Sequence, residues 1–475
     1  METSEATVYF EIRPEVTPAY FGDLLTFIYQ NFVLRLYGHF ANIRQWTSDG
    51  KRILAFTFLS PERGWYVDVE IEAGETIEVR MRPSTPTVPK SVLDRLKEDL
   101  IINVQFFEEK VRRTTLYFAF VKSEKIMLER TPQRRRKILR QIFLGNMLVF
   151  FVIFILISYA VFQLFQMYAP IVLVLSQFVI VLFADKILMR MGDWSVTADN
   201  PYVYILQYHI PREDLPTFSQ RYNRDLLLKI KRDIYAETLA VGRPIDRETA
   251  LEVFSKYGID CKPQNLSTKM INLYGLVKEA AERFNIPVPK IRIANIILPN
   301  AGATGPSPSR GLILITSGLL VQLEEDEVFS VIGHEMSHLK SRDPLVLFAL
   351  TSAEYLVRVY VIPAFIFFFL GFMYFFLVLS GIYFVAKFFE ARADLESAIR
   401  IGHPEVMAGA LMKIGYRKIQ LERLRYSRVG NWLGIDPHPP VSFRISRLEN
   451  LTDPSKIKHP FMRSIMDCVN GLLKG

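Results

Sequence analysis

The chain has 475 residues, a net charge of +9 and a half-apolar composition, enough for two or three domains. Its two cysteines, Cys261 and Cys468, stand far apart without CxxC spacing, which argues against a disulfide framework and against sulfur metal ligands and suits a reducing compartment. No nucleic-acid recognition motif accompanies the positive charge; the densest basic run abuts an apolar segment, so anionic lipid is the expected partner.

The first residues are acidic and polar, and a cleavable secretion signal is not expected. Residues 1–129 read as a small α+β domain without a nameable chemical motif. Thr7 to Ile12 alternates like a strand, and Ala19 to Tyr37 has a helical apolar pattern. Strand-like runs follow at Arg52–Leu59, Trp65–Ile71 and Glu75–Met81, then a charged helix over Ser91–Val111 and a strand over Thr114–Val121.

Residues 130–189 form a basic anchor and a first hydrophobic hairpin. No residue from Gln141 to Ala184 is charged, and one helix of that length would be about 66 Å long, twice the hydrocarbon thickness of a bilayer. Two spans fit better, Ile142–Gln163 and Ala169–Leu188, turning near Met167-Tyr168-Ala169-Pro170. Arg134-Arg135-Arg136-Lys137, flanked by Arg130 and Arg140, precedes the first span. The positive-inside rule therefore puts the amino terminus in the cytoplasm.

Residues 190–342 read as mainly helical, with helices at Glu213–Ala236, behind Asp246, and over Ser267–Phe284. Strands are expected at Ile291–Ile297 and Leu312–Thr316, around Asn300-Ala301-Gly302-Ala303-Thr304-Gly305. A helix starting near Glu324-Glu325-Asp326, with acids at its positive end, carries His334-Glu335-Met336-Ser337-His338. Histidines four apart project from one helical face, so both imidazoles can reach one tetrahedral zinc. Glu335 beside them is placed to act as general base toward water.

A second hydrophobic hairpin occupies residues 343–387 and turns near Ile362-Pro363. Its charges, Glu354 and Arg358, form an i,i+4 pair suited to mutual neutralisation; a structural or snorkelling role is weighed against a polar path. Residues 388–475 complete the catalytic part, opening with Glu390-Ala391-Arg392-Ala393-Asp394, 52 residues beyond His338. Two hairpins return the chain to the cytoplasm each time, so the histidine motif and the carboxyl terminus lie there as well.

The order of these elements resembles the HtpX-like membrane zinc metalloproteases, relatives of the CAAX prenyl endopeptidases, over residues 140–450. The resemblance rests on a hairpin, Pro289-Lys290, Asn300-Ala301-x-Ala303-Thr304-Gly305, Thr316-Ser317-Gly318-Leu319-Leu320 and HEMSH. A second hairpin, Glu390-x-x-x-Asp394, and His438-Pro439-Pro440 with Arg444 complete it. It implies an α+β, mainly helical fold with a zincin-like catalytic domain and four transmembrane helices in two hairpins. It implies one Zn2+ per chain on His334, His338 and Glu390, with Glu335 as base and Asp394 holding a ligand in place. His438 and Arg444 would face the developing oxyanion, and Asn300, Ala301, Gly302 and Ala303 would pair with an extended substrate. Gly302 departs from the bulky aromatic common in relatives. The other histidines, His39, His209, His403 and His459, read as solvent-facing or structural.

The implied activity is ATP-independent cleavage of damaged or misassembled proteins in the cytoplasmic membrane, with protein substrates and the lipid bilayer as partners and no nucleic acid. No Walker-type phosphate loop is present. The alternatives are a processing peptidase for a defined, lipidated client and a zinc-binding pseudoprotease scaffold.

Overall fold

A computed structural model describes residues 7–16, 18–60, 64–122, 147–190, 192–211, 213–362, 364–424, 432 and 436–473. Strand β1 (Val8–Ile12) leads to α1 (Phe21–Ile28), which loosens into a wide turn, Tyr29–Val33, and a tight one, Leu34–His39, instead of holding one helix to Tyr37. Strands β2 (Phe40–Ser48), β3 (Lys51–Leu59), β4 (Tyr66–Ala73) and β5 (Ile77–Pro83) complete an antiparallel sheet of order β1-β5-β4-β3-β2. In β4 every second residue, Val67, Val69, Ile71 and Ala73, is buried, as a strand with one covered face requires. The sequence pattern missed β2 because an edge strand exposes most of its length and loses that alternation.

Helix α2 (Lys90–Arg112) covers this sheet with Leu96, Leu100, Val104 and Phe107, an apolar stripe at helical spacing. Strand β6 (Thr115–Val121) then leaves the amino-terminal sheet and pairs with a strand beyond the first hairpin. The basic run Arg130 to Arg140 lies outside the described residues. Helix α3 (Met147–Phe165) and helix α4 (Ala169–Leu182) are separated by a turn at Gln166–Tyr168, where Gln166 takes φ 47° and breaks the helical path. A short α5 (Ala184–Met189) follows.

The next region contains more strand than expected: β7 (Trp194–Val196) and β8 (Tyr202–His209) precede its first helix. The helix expected over Glu213–Ala236 is two, α6 (Leu215–Arg221) and α7 (Arg224–Glu237), because Asn223 is extended and its side chain caps Leu226. Helix α8 (Arg247–Lys256) starts behind Asp246, whose carboxylate accepts from Thr249 N. The run from Ser267 opens as strand β9 (Leu266–Asn272), and only from Asn272, an N-cap accepting from Gly275 N, does it become α9 (Leu273–Phe284). Tertiary pairing explains the difference: β9 lies against β8 in the sheet β6-β8-β9.

A second small sheet, order β11-β12-β10-β7, holds β10 (Lys290–Ala294), β11 (Ala301–Thr304) and β12 (Leu312–Thr316). β10 and β12 are parallel and buried, whereas β11 is the antiparallel edge. Helix α10 (Ser317–Gln322) then leads to α11 (Glu325–Ser341), which carries HEMSH. Helix α12 (Asp343–Tyr360) and helix α13 (Ala364–Arg400) form the second hairpin; of the expected turn at Ile362-Pro363, Pro363 lies outside the described residues. α13, with 37 residues, is about 55 Å long. The last helices are α14 (Pro404–Leu424), α15 (Val441–Glu449) and α16 (Pro460–Leu473).

Among the described residues, two helical runs are long and apolar enough to cross a membrane, Ile155–Leu182 and Leu370–Arg400; the first includes the Gln166–Tyr168 turn. The hairpins touch through the stacked rings of Phe178 and Phe348, 5.9 Å apart, and through Tyr360 Oη, which donates to Met167 O at 2.5 Å. Glu354 accepts from Arg358 Nε at 3.0 Å and from Tyr374 Oη at 3.1 Å, so the pair is neutralised with help from α13.

The amino-terminal sheet is clamped to the rest by α2. Glu98 and Asp99 pair with Arg423, and Glu109 with Tyr416 and Arg417, all on α14. Beneath them a buried cluster joins Glu15, Glu108 and Arg112. Glu108 accepts from Glu15 N at 2.7 Å, and Arg112 Nε lies 2.9 Å from Glu15 Oε2. Burial, and then the Glu15 carboxylate, push the Glu108 carboxyl up from 4.5 to about 7. The folded state thus holds a proton between those values that the unfolded chain has released, so this contribution is full below about 4.5 and lost as pH rises through about 7. Glu108→Gln, which keeps the acceptor, is expected to stabilise the protein at pH 8 by about 1–3 kcal/mol and to leave pH 4.5 nearly unchanged. Thermal unfolding at the two pH values checks this; equal shifts at both would contradict it.

Candidate metal centre

Helix α11 starts on acids that suit its positive end; Glu324 N donates to Glu327 Oε2 at 2.8 Å, and Lys413 of α14 donates to the same oxygen at 2.8 Å. It is buried along most of its length and crosses α13 at Gly333. A Cβ there would lie 2.4 Å from Ile401 Cγ1 and 2.7 Å from Ser397 Oγ, so glycine is what allows the approach. Two hydrogen bonds clasp the crossing: Ser397 Oγ donates to Ser330 O at 2.9 Å, and Ser337 Oγ to Glu396 Oε2 at 2.7 Å. α11 ends at Arg342, in the left-handed region at φ 56°, and the chain restarts at once as α12 with Asp343.

This crossing brings His334, His338 and Glu390 together. One ligand atom of each lies within 4.8 Å of the others. The Nε2 atoms of the two histidines face each other at 3.1 Å. Glu390 Oε2 lies 3.4 Å from His334 Nε2, and Oε1 lies 3.3 Å from His338 Nε2. The outer nitrogens are held by acids: His334 Nδ1 is 2.9 Å from Asp394 Oδ1, and His338 Nδ1 is 2.7 Å from Asp343 Oδ2. At His338 the hydrogen bond to Asp343 fixes the proton on Nδ1 and turns the Nε2 lone pair inward, while Asp394 sets an opposite charge beside His334 Nδ1. Two lone pairs and a carboxylate converging on one point fit a divalent cation.

The field agrees with that fit. Burial opposes charge on His338, but hydrogen bonds to Asp343 and Glu390 outweigh it and lift the imidazole to about 10. His334 rises for the same reason, against burial, through Asp394 and Glu390. Burial would raise Glu390, yet the two histidines hold it well below its usual range. The centre is built to stabilise positive charge between the rings.

Each supporting acid is itself backed by an arginine. Arg444 of α15 grips Asp394 with Nε at 2.7 Å and Nη2 at 2.6 Å, a two-pronged pair. Arg392 Nη2 donates to both oxygens of Asp343 at 2.7 and 2.6 Å. Two Arg–Asp–His relays therefore run into the centre from opposite sides. Arg444 is buried and two of its nitrogens are committed to Asp394; Nη1 faces Glu390 Oε2 at 3.5 Å and is the nitrogen turned toward the site. His438 is half-exposed, its Nε2 3.8 Å from Glu390 Oε2 and its Nδ1 3.2 Å from Asp436 Oδ1. Glu335 is buried on α11 beside the first histidine.

β11 packs along α11 at the free edge of its sheet, with Ala301 and Ala303 turned to the core. Asn300 is pinned at the start of that strand: its N donates to Thr316 Oγ1 at 2.9 Å and its O accepts from Thr316 N at 3.0 Å. A Cβ on Gly302 would meet nothing within 4 Å, so the edge is open at that position.

Asp343, Arg392 and Asp436 were missing from the sequence-derived site. Asp343 carried one signal, an acid opening the helix that follows the histidine helix, but its reach back to His338 depends on the left-handed Arg342. Asp343→Asn leaves the Nδ1 contact uncharged and frees Arg392, and is expected to weaken metal affinity about 10–100-fold, as such supporting acids do. Chelator competition measures it; an unchanged affinity would remove Asp343 from the centre.

The family described as Peptidase family M48 matches residues 269–452, which include every residue of this centre. A protease HtpX homologue of Methanothermobacter thermautotrophicus is 34% identical over 161 residues, 30% of this chain and 59% of the relative. One from Sulfurihydrogenibium sp. is 45% identical over 74 residues, 16% of this chain and 25% of the relative. One from Moorella thermoacetica is 29% identical over 220 residues, 38% of this chain and 71% of the relative. The chain thus spans less than two thirds of the first two relatives. Over residues 269–452, with the His-His-Glu centre inside them, the chain is similar to Peptidase family M48, and the relatives that it matches are protease HtpX homologues.

Proposed function

We propose that the chain is a membrane-embedded zinc endopeptidase that cuts damaged or misassembled membrane proteins without ATP. The observation that carries the reading is the convergence of His334, His338 and Glu390 beside Glu335, with the open edge of β11 alongside. The His-His-Glu donor set favours zinc. When bound, zinc supplies Lewis acidity that brings the pKa of water from about 15.7 toward about 7.

The chain's own residues do the rest. An extended substrate adds to β11 by main-chain hydrogen bonds, with Ala301, Gly302 and Ala303 as the receiving edge and Asn300, bonded to Thr316, fixing its start, which reads shape more than sequence. The Glu335 carboxylate takes the proton of the attacking water and delivers it to the leaving amine nitrogen. His438 Nε2 and the Arg444 Nη1 guanidinium nitrogen supply hydrogen-bond donors toward the oxygen on which charge develops. Asp343 keeps the His338 imidazole in one tautomer, and Asp394 holds a negative charge beside His334.

The two helical runs apolar enough to cross a membrane, each part of a hydrophobic hairpin in the sequence, support a multi-pass arrangement of four spans. The basic run before the first supports a cytoplasmic amino terminus, centre and carboxyl terminus. The centre lies at the root of the second hairpin, so substrates emerging from the bilayer on that side meet it first.

Glu335→Gln is expected to keep metal binding and lower cleavage of an unfolded membrane protein by about 10²–10⁴-fold. Purified wild type and variant, stripped of metal and then given zinc, are compared in detergent. Equal cleavage by both would reject Glu335 as base. Zinc binding without cleavage of any client would reject the peptidase reading.

A further inference from the structure

Helix α16 carries an apolar stripe that faces outward. Its inward face is well occupied: Ser464 and Cys468 are buried, Phe461 meets Phe388 of α13 at 4.8 Å between ring centroids, and Arg447 reaches Ser464 and Asp467 at 2.8 and 2.7 Å. On the other side Met462, Met466, Val469 and Leu473 are 55, 52, 37 and 76% exposed. At 100° per residue these four side chains fall within about 60° of arc, a single stripe and not a scatter. Arg463 and Asn470 mark its polar flank. Single exposed apolar residues are ordinary, whereas a contiguous stripe marks a contact surface.

The depth of the helix identifies the contact. α16 crosses α13 between Phe384 and Ala391: Cys468 packs with Ala391 and Trp432, and Leu472 and Phe384 close the same cluster. That is where α13 changes from apolar to charged, for Ala386 is followed by Lys387 and Glu390. A bilayer around the apolar part of α13 would have its headgroups at this level. We propose that α16 lies in the plane of that membrane surface, with the Met462–Met466–Val469–Leu473 stripe seated at the boundary between headgroups and acyl chains.

Exposed basic residues, Lys456 and Lys458 ahead of the helix and Arg463 within it, suit anionic headgroups. Lys456 lies 2.9 Å from Asp453 and Arg463 2.9 Å from Asp467, so the electrostatic share is modest and the stripe carries most of the contact. The helix also fastens, through Arg447, onto α15, the helix of Arg444. Lipid contact at α16 therefore steadies the part of the centre that faces Asp394. This inference rests on the membrane-embedded reading above.

The test uses the full chain with Cys261→Ser and Cys468→Ala. Nitroxide labels are placed through Met466→Cys, Asn470→Cys or Phe372→Cys, and each protein is reconstituted in phosphatidylcholine vesicles containing phosphatidylglycerol. Relaxation by oxygen, which partitions into lipid, is compared with relaxation by an aqueous nickel chelate. The expected result is an oxygen-to-nickel ratio highest at 372, and at 466 at least about threefold above 470. If 466 is as open to nickel as 470 while 372 stays in lipid, the surface helix is wrong. If 466 is shielded from both reagents, protein covers the stripe, a second copy being the first suspect, and the proposal again fails. Nickel access at 372 would instead overturn the membrane-embedded reading on which it rests. Should the cysteine replacements disturb folding, Met466→Trp in the native chain, read by quenching from brominated acyl chains, decides the same question.

Discussion

The contact on which the rest depends is the crossing of α11 and α13 at Gly333. α11 supplies both histidines, α13 supplies Glu390 and Asp394, and only a close approach of the two backbones lets them meet. Any side chain at 333 would press into Ser397 and Ile401 and hold the helices apart. The serine hydrogen bonds on either side fix rotation as well as distance, so Glu390 faces the imidazoles without having to search for them. A centre organised in this way before any ligand arrives loses little entropy on binding one.

The amino-terminal sheet enters the same system by a longer route. Its helix α2 is ion-paired to α14, and α14 in turn seats the start of α15: Glu422 accepts from Val441 N at 2.7 Å, and Gly415 lets Val441 pack close. α15 carries Arg444, which grips Asp394. Strand β6 reinforces this by crossing from the amino-terminal segment into the sheet of β8 and β9. A continuous series of packed elements therefore joins the first hundred residues to the candidate metal centre, although none of the described residues among them contributes a side chain to it.

How much was legible follows from the range of each interaction. HEMSH could be read because helical periodicity alone puts its histidines on one face. The apolar helices could be read because length and scarcity of charge suffice, and the turn of the first pair fell where expected. Glu390 and Asp394 were legible through the order of elements, not through their surroundings. Asp343 and Arg392 were not, because their contacts need the kink at Arg342 and the packing of α12 against the foot of α13. Arg444 was expected to face the oxyanion, whereas its bidentate grip on Asp394 was not foreseen, since Arg444 lies 50 residues further along the chain. The strands β2, β7, β8 and β9 escaped for a related reason: short or edge strands are decided by their partners, and local pattern carries little of that information.

The hairpin between α11 and α13 separates the two halves of the centre along the chain. His334 and His338 are made before it, Glu390 and Asp394 after it, and Asp343 and Arg392 meet across its foot at 2.6 Å. Until the apolar stretch has been folded back on itself, the histidine helix is half a site, with neither the third ligand nor its supporting acid. The order of the sequence thus makes assembly of the centre depend on folding of the second hairpin. The centre can assemble only on a chain whose second hairpin has already been put in its place, and a copy that fails in this carries two histidines and no third ligand.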